Sequence, residues 1–478
     1  MPRKFLETSV TTFGSLLILA LGGYSYHIYY KSLVLDKINN AFSSGFSTLE
    51  LAALSQHGVP PEPGEEPVQD ELRFKVLRPE QTTIDSIVTG KIRGSYYLLF
   101  GEKGTGKTTM LLDAMRKVQG SGVAMLEAHS DLEVFRLRLG KALDYEYHED
   151  YIGGLFNIRG PREATPLLDI ERALNKLEKV ALKRKSKLNK PLTLIINNIH
   201  FLPDSAEGQH LLTLLQQRAE LWAASELVTL VFTSDEYRTT ETFRPHATRM
   251  QVLNVRDVPK EMAIPALQTY RQAKFQETVS EDILSQAYDR VGGRLIFLEQ
   301  VARSRDILRM CESICEKEKR WLLSQCWILG AEMDDKAEEQ QDYCHAAMLL
   351  AKALVELENK AVQPTGGANI PGMPIHKVQE LMTRSDFLHK LDQMNIFAID
   401  ANGVVKADSV PMQNAFRAVT SDPAFEEHLE ATTERLDELE GLGRTTELTM
   451  KDLVSGQYAV VTKGVRGQED TTFVVKRM

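Results

Sequence analysis

Cysteine is scarce in this 478-residue chain. The four present, Cys311, Cys315, Cys326 and Cys344, are too few and too unevenly spaced for a disulfide framework. Cys311 and Cys315 stand one helical turn apart, a spacing that reads as small buried hydrophobes more readily than as a metal site completed by His345. A strong charge of one sign is missing too. With 57 Lys and Arg against 66 Asp and Glu, the formal net charge of -9 argues against a general binder of polyanions. No internal repeat is visible, which excludes a solenoid. What remains is ordinary for a globular protein, 43% hydrophobic and 26% charged, and the length implies two or three cores.

The feature that carries chemistry is GEKGTGKT at Gly101 to Thr108, an unbroken phosphate-binding loop. It follows a buried-strand pattern at Tyr96 to Phe100 and opens a helix from about Lys107 to Lys117. Gly101, Gly104 and Gly106 supply the freedom a tight wrap demands, and the backbone N–H groups of Glu102, Lys103, Thr105 and Thr109 with the helix N-terminus face phosphate. Lys107 would reach the β- and γ-phosphates, and Thr108 would ligate Mg²⁺. The next catalytic strand, Leu192 to Ile199, ends in Asn197-Asn198, where hydrolysis needs an acid to hold the metal and another to polarise water. Neutral amides cannot take a proton. Binding without efficient turnover is therefore expected, unless Asp204, Asp235 or Glu236 on nearby loops supplies the acid.

Phe13 to Tyr30 is an eighteen-residue, mostly apolar stretch free of formal charge, near the lower limit for a membrane span, with Tyr24, Tyr26, Tyr29 and Tyr30 as an aromatic belt. We expect a single-pass anchor over residues 1–31. Arg3 and Lys4 before it and Lys31 and Lys37 after it leave its orientation open. Residues 32–73 read as short amphipathic helices over Ser32 to Gln56 and a Pro- and Glu-rich linker at Gly58 to Asp70. Residues 74–258 alternate strands (Tyr96 to Phe100, Val123 to Ala128, Leu192 to Ile199, Leu227 to Thr233) with helices (Asp131 to Tyr145, Leu167 to Lys187), an α/β plan with a parallel sheet. Residues 259–335 are helical, a lid broken by Gly292-Gly293. Residues 340–422 run helix, helix, helix, hairpin with a turn at Asn402-Gly403, the order of a winged helix. Residues 423–478 offer an acidic helix and a hairpin around Gly464 to Gly467.

On these residues, Leu77 to Arg303 resembles the AAA+/STAND class of P-loop ATPases, nearest its origin-recognition-like branch. The whole chain is similar to fungal membrane-anchored AAA proteins with a C-terminal winged helix. The resemblance implies ATP and Mg²⁺ as cofactors. It makes Arg78 of Arg78-Pro79-Glu80 a neighbour of the adenine, Ser234 of Thr233-Ser234 the sensor 1 group, and Arg294 after Gly292-Gly293 the sensor 2 group. Three departures weaken hydrolysis: Asn197-Asn198 for the paired acids, Asp235 where STAND members carry Arg, and Leu295 where the lid has Pro.

The function expected is a membrane-anchored, ATP-binding conformational switch or assembly scaffold with weak or no hydrolysis. The alternative is an active AAA+ ATPase remodelling proteins at a membrane. Protein partners or self-assembly are expected, with Arg238, Arg244 and Arg249 as arginine fingers between which the sequence does not choose. From Pro364 onward 12 Lys and Arg face 17 Asp and Glu, so nucleic-acid binding is disfavoured. Lys183-Arg184-Lys185 with Lys187 and Lys190 is the better anionic contact, read mainly as the solvated end of a helix. The mitochondrial inner membrane is favoured over the endoplasmic reticulum.

Overall fold

Strands buried on both faces must be apolar throughout, and YYLLF, VAMLE, LTLIIN and VTLVFTS come close to that rule. In the computed structural model they are β1 (Tyr96–Phe100), β2 (Val123–Glu127), β3 (Leu192–Asn197) and β4 (Val228–Ser234). A fifth, β5 (Met250–Asn254), joins at the edge. All pair in parallel in the order β2-β3-β4-β1-β5. The structure describes residues 2–45, 74, 76–147, 165–327, 338–360, 370–382, 384–436, 458–463 and 472–477.

The N-terminal helix α1 (Pro2–Ala41) is continuous. The core then carries α2 (Glu80–Val88), α3 (Lys107–Lys117), α4 (Leu132–Ala142), α5 (Pro166–Leu188), α6 (Ala206–Ser225) and α7 (Tyr237–Phe243). Helix starts follow capping chemistry: Asp131, Thr165 and Ser205 each accept a backbone N–H of the first turn. One sheet face packs on α2 and α3. The other belongs to a larger core that takes in α4, α5, α6, the C-terminal end of α1 and the C-terminal domain.

The lid is four helices, α8 (Lys260–Phe275), α9 (Glu281–Val291), α10 (Leu295–Arg303) and α11 (Ile307–Cys326), with a core of its own around Leu267, Tyr288 and Leu298. Then come α12 (Glu338–Lys360), β6 (Gly372–Pro374), α13 (Ile375–Leu381), α14 (Ser385–Gln393), β7 (Phe397–Ile399), β8 (Val404–Ala407) and α15 (Val410–Thr420). Here β6, β8 and β7 form an antiparallel sheet, so the wing has three strands. A helix over 423–436 and a hairpin of β9 (Tyr458–Lys463) with β10 (Thr472–Arg477) complete the description. The expected turn at Gly464 to Gly467 and the linker at Gly58 to Asp70 lie outside the described residues.

The expected transmembrane span is not found: no helix among the described residues is long and apolar enough to cross a membrane. After Leu21 the stretch is diluted by Gly22, Gly23, His27 and four tyrosines. Nor does the chain break after Lys31. α1 runs on to Ala41, because Val34, Ile38, Ala41 and Phe42 are buried against the core. Arg184 donates to the Phe42 carbonyl at 3.3 Å, and Lys183 sits 3.6 Å from Asp36. The basic end of α5 thus holds α1. Cys311, Cys326 and Cys344 are buried free thiols, as packing residues should be.

Candidate nucleotide-binding site

The loop from Gly101 to Gly106 joins the tip of β1 to α3, where β1 lies between β4 and β5. Gly104 (φ 81°) and Gly106 (φ 96°) adopt left-handed conformations that side chains resist. Gly101 is demanded by contact: a Cβ there would lie 2.2 Å from the Val255 carbonyl oxygen. Lys107 is buried and its ammonium folds back over the loop, donating to the Gly101 carbonyl at 2.6 Å and the Glu102 carbonyl at 3.0 Å. Burial lowers its pKa, against the pull of Asp235 and Glu102. A buried cation so placed is short of negative neighbours, the condition a phosphate would relieve.

Asn197 knits the floor together. Its Oδ1 accepts from Thr108 Oγ1 at 3.1 Å and from Thr233 Oγ1 at 2.8 Å. The Asn198 backbone N–H donates to Thr233 Oγ1 at 2.7 Å, and its side-chain amide donates to Glu127 at 3.1 Å. Of the sensor 1 pair, therefore, Thr233 reaches the asparagines. Ser234 turns away, its hydroxyl bonded to Thr239 and to the Glu236 backbone at the start of α7. Arg78 has a bracing role: it donates to the Thr105 carbonyl at 2.6 Å and to the Arg256 carbonyl, pinning the loop to the segment after β5.

Two cavities flank the loop. One, of about 380 Å³, is lined by Lys103, Lys107, Thr108, Thr109, Asn198 and His200, together with Asp235, Glu236 and Asp392. The other, of about 450 Å³, lies between Phe100, Glu102, Val258, Tyr288 and Lys406. Its wall includes Asn254, whose buried Oδ1 has no hydrogen-bond partner. An orphaned acceptor there fits an N–H of a nucleobase.

C-terminal residues enter both cavities because that domain packs on the core. Asp392, at the end of α14, accepts the Tyr237 N–H at 3.0 Å and the Ile399 N–H at 3.4 Å. His389 lies 3.4 Å from Glu241. Residues 324–440 match the family model described as fungal AAA protein, C-terminal winged helix domain. The C-terminal unit is thus similar to that family. No curated protein matches the chain by sequence. Among solved structures it is similar to the Walker-type ATPase of Pyrococcus abyssi, with 15% identity over 72% of this chain and 96% of that one at a TM-score of 0.46. It is similar also to the Aeropyrum pernix ORC2 protein in its ADPNP-ADP complexes (13%, 78% and 96%, 0.39). A third is AMPPCP-bound DnaA from Aquifex aeolicus (9%, 78% and 99%, 0.32). The fold is a parallel five-stranded α/β core, followed by a C-terminal unit that matches the fungal AAA winged helix over residues 324–440.

Arg294 joins these parts. It is 2% exposed, so it is no surface arginine. Its Nε donates to Asp257 at 2.7 Å, and its Nη1 to the Lys103 carbonyl at 2.8 Å and to Asp408 at 3.1 Å, while Nη2 donates to the Asp408 carbonyl. One guanidinium thus ties the loop, the segment after β5 and the winged helix. Gly292-Gly293 makes the crossing: a Cβ on Gly293 would meet the Val258 oxygen at 1.9 Å, and one on Gly292 would meet Val410 at 2.6 Å. Leu295 and Ile296 sit against Gly106 and Gly104. Lys406 of the winged helix pairs with Glu102 at 2.6 Å. Burial would raise the Glu102 carboxyl, but Lys406 and then Arg294 hold it below its ordinary range. Asp408 goes the other way: burial outweighs Arg294 and, helped by Glu102 and Asp257, pushes it up to about 6.

Local patterning marked Arg294 and the loop with Glu102 in it, but not Lys406, Asp408 or Asp392. Their only signal is a charged residue inside or beside a short apolar run.

Proposed function

We propose that the chain is an ATP-dependent conformational switch or assembly scaffold, with weak or no hydrolysis. The observation that carries this reading is Arg294, bonded at once to the phosphate loop, the hinge after β5 and the winged helix. With a triphosphate in the loop, Lys107 would leave the Gly101 and Glu102 carbonyls for the phosphates. Glu102 is the partner of Lys406, so the loop's rearrangement is felt directly by the winged helix. The Thr108 hydroxyl and the Asn197 amide oxygen are neutral, hard donors that fit Mg²⁺ carried in by the nucleotide. The metal would neutralise phosphate charge.

The test is limited proteolysis of the full-length protein with and without a non-hydrolysable ATP analogue, beside a binding titration. Analogue should bind, and change cleavage between lid and winged helix, in the starting protein but not in Lys107→Ala. Tight binding with unchanged cleavage would sink the switch.

Two finer parts belong to the same reading. Helix α14 is held against α7 through Asp392, His389 and Gln393, so we read the winged helix as a docking element for protein. Salt-sensitive binding to duplex DNA would overturn that. Membrane attachment rests on Phe13, Leu16, Leu17, Ile18, Leu19 and Leu21, all exposed on α1. From Phe13 to Leu21 the helix rises about 14 Å, roughly half of a ~30 Å hydrocarbon layer, which suits insertion without crossing. Failure to float with liposomes would refute it, and cell fractionation reads the compartment, with the mitochondrial inner membrane expected first.

A further inference from the structure

We propose that His200 is a catalytic residue of this site, the base that takes the proton from the water attacking a nucleoside triphosphate, with Asp235 as its positioning residue. The inference rests on the nucleotide-binding reading above and concerns whatever turnover the site performs. Neither Asn197 nor Asn198 can accept a proton. His200 sits in the short helical turn Ile199–Phe201, three residues past Asn197, in the wall of the same cavity as Lys107, Thr108 and Asn198. Its Nε2 is 2.8 Å from Asp235 Oδ1, and both side chains are largely buried, 6% and 19% exposed. Its Nδ1 is buried with no hydrogen-bond partner. Donation of Nε2–H to the carboxylate fixes the tautomer in which Nδ1 is a free acceptor. A buried ring acceptor with no partner, on a residue that lines a cavity of about 380 Å³, is an arrangement that a ligand or water entering there would complete.

The neighbouring acids are committed elsewhere. Asp392 accepts two backbone N–H groups, and Asp204 lies 3.2 Å from Arg238. Glu236 accepts from Gln393 of the winged helix at 3.3 Å. Asp235 is the one paired with the His200 ring, and its charge also acts on Lys107. Burial opposes its charge, yet the His200 hydrogen bond and Lys107 keep its carboxyl below the ordinary range. An ionised Asp235 both holds the ring and stabilises the imidazolium that forms.

The step balances without any further reactant. Water oxygen bonds to the γ-phosphorus as the bond from that phosphorus to the β–γ bridging oxygen breaks, its electron pair leaving with the nucleoside diphosphate. The water proton passes to His200 Nδ1, and from the imidazolium to released phosphate or solvent.

The experiment uses the full chain in detergent. Affinity for a non-hydrolysable ATP analogue and single-turnover phosphate release are measured for the starting protein, His200→Ala, His200→Gln and Asp235→Asn. Glutamine keeps a donor for Asp235 but cannot take a proton. Both His200 variants should lose about 100-fold or more in rate with analogue affinity within about twofold, and added imidazole should restore part of the rate to His200→Ala alone. Nitrogen-15 spectra, with His200 identified by its loss in His200→Ala, should show one ring tautomer in the starting protein and a mixture in Asp235→Asn. Unchanged turnover in His200→Gln, or a starting protein that binds analogue yet releases no phosphate from ATP, overturns the proposal. A starting protein that binds no analogue overturns the nucleotide-binding reading beneath it.

Discussion

Asp408→Asn isolates one carboxyl beside the buried Arg294 guanidinium. The folded protein keeps the proton on Asp408 up to about pH 6, whereas an unfolded aspartate releases it near 3.8. Between those values the folded state binds more protons, so this group's contribution to stability is complete below pH 4 and is lost as pH rises through 6. At 1.36 kcal/mol per pH unit the full loss is about 3 kcal/mol. The cause is crowding of like charge in a dry place: Arg294 attracts Asp408, but burial, Glu102, Asp257 and Glu318 all oppose its ionisation, and Lys406 is spent on Glu102. Asparagine keeps an oxygen for Arg294 and never ionises. Its stability relative to the starting protein should therefore be near zero at pH 4 and grow to as much as about 3 kcal/mol in the variant's favour above pH 6.5. Urea unfolding of both proteins at pH 4.5, 5.5, 6.5 and 7.5, followed by tryptophan fluorescence, reads the difference. A gap that does not change with pH, or one that moves toward the starting protein as pH rises, would refute the reasoning, because the ion pair with Arg294 would then outweigh the burial of Asp408.

Arg294→Ala leaves Asp257 and Asp408 without their shared cation and should cost about 3–5 kcal/mol, visible as a lower thermal midpoint. Arg294→Lys should recover only part, since the three donors of one ammonium nitrogen cannot span the four acceptors that the guanidinium reaches. Gly293→Ala would drive a methyl group to 1.9 Å from the Val258 oxygen and should free the lid, raising protease cleavage between residues 259 and 303, while Gly14→Ala, with nothing within 4 Å, should leave stability and cleavage unchanged.

Much of this molecule could be read from local pattern. The buried strands β1 to β4, the glycine loop, the asparagine pair, the lid glycines and the wing hairpin all announce themselves within a few residues. β5 did not, because MQVLN is short and only half-buried at a sheet edge, so it lacks the continuous apolar run. β6 was hidden for a related reason, lying in a Gly/Pro stretch that pairs only because Val404 to Lys406 is opposite. α1 differs from the expected span because its apolar run thins after Leu21, and the helix that carries the tyrosines continues to a far end that packs on α5. The site's charges were the least legible. Glu102 and Lys406 are more than 300 residues apart, Arg294 and Asp408 more than 100, and Asp235 finds His200 only because β3 and β4 are neighbours. No periodicity encodes such pairs. They follow from topology, which the sequence specifies through its cores.

The two asparagines make sense within that topology. An aspartate at 197 would be a nearly buried charge whenever metal and nucleotide were absent. Asparagine makes the same bonds, accepting from Thr108 and Thr233, at no such cost, so the floor of the site stands by itself. Asn198 is left-handed, with φ 54°, a conformation asparagine tolerates better than most residues, and its amide donates to Glu127, where an acid would meet like charge. Both replacements are therefore supported by backbone and neighbours. They also remove negative charge from around Lys107, leaving its ammonium to loop carbonyls, Glu102 and Asp235. A site so built keeps a buried cation that a phosphate would neutralise, in contact through Glu102 and Arg294 with the winged helix.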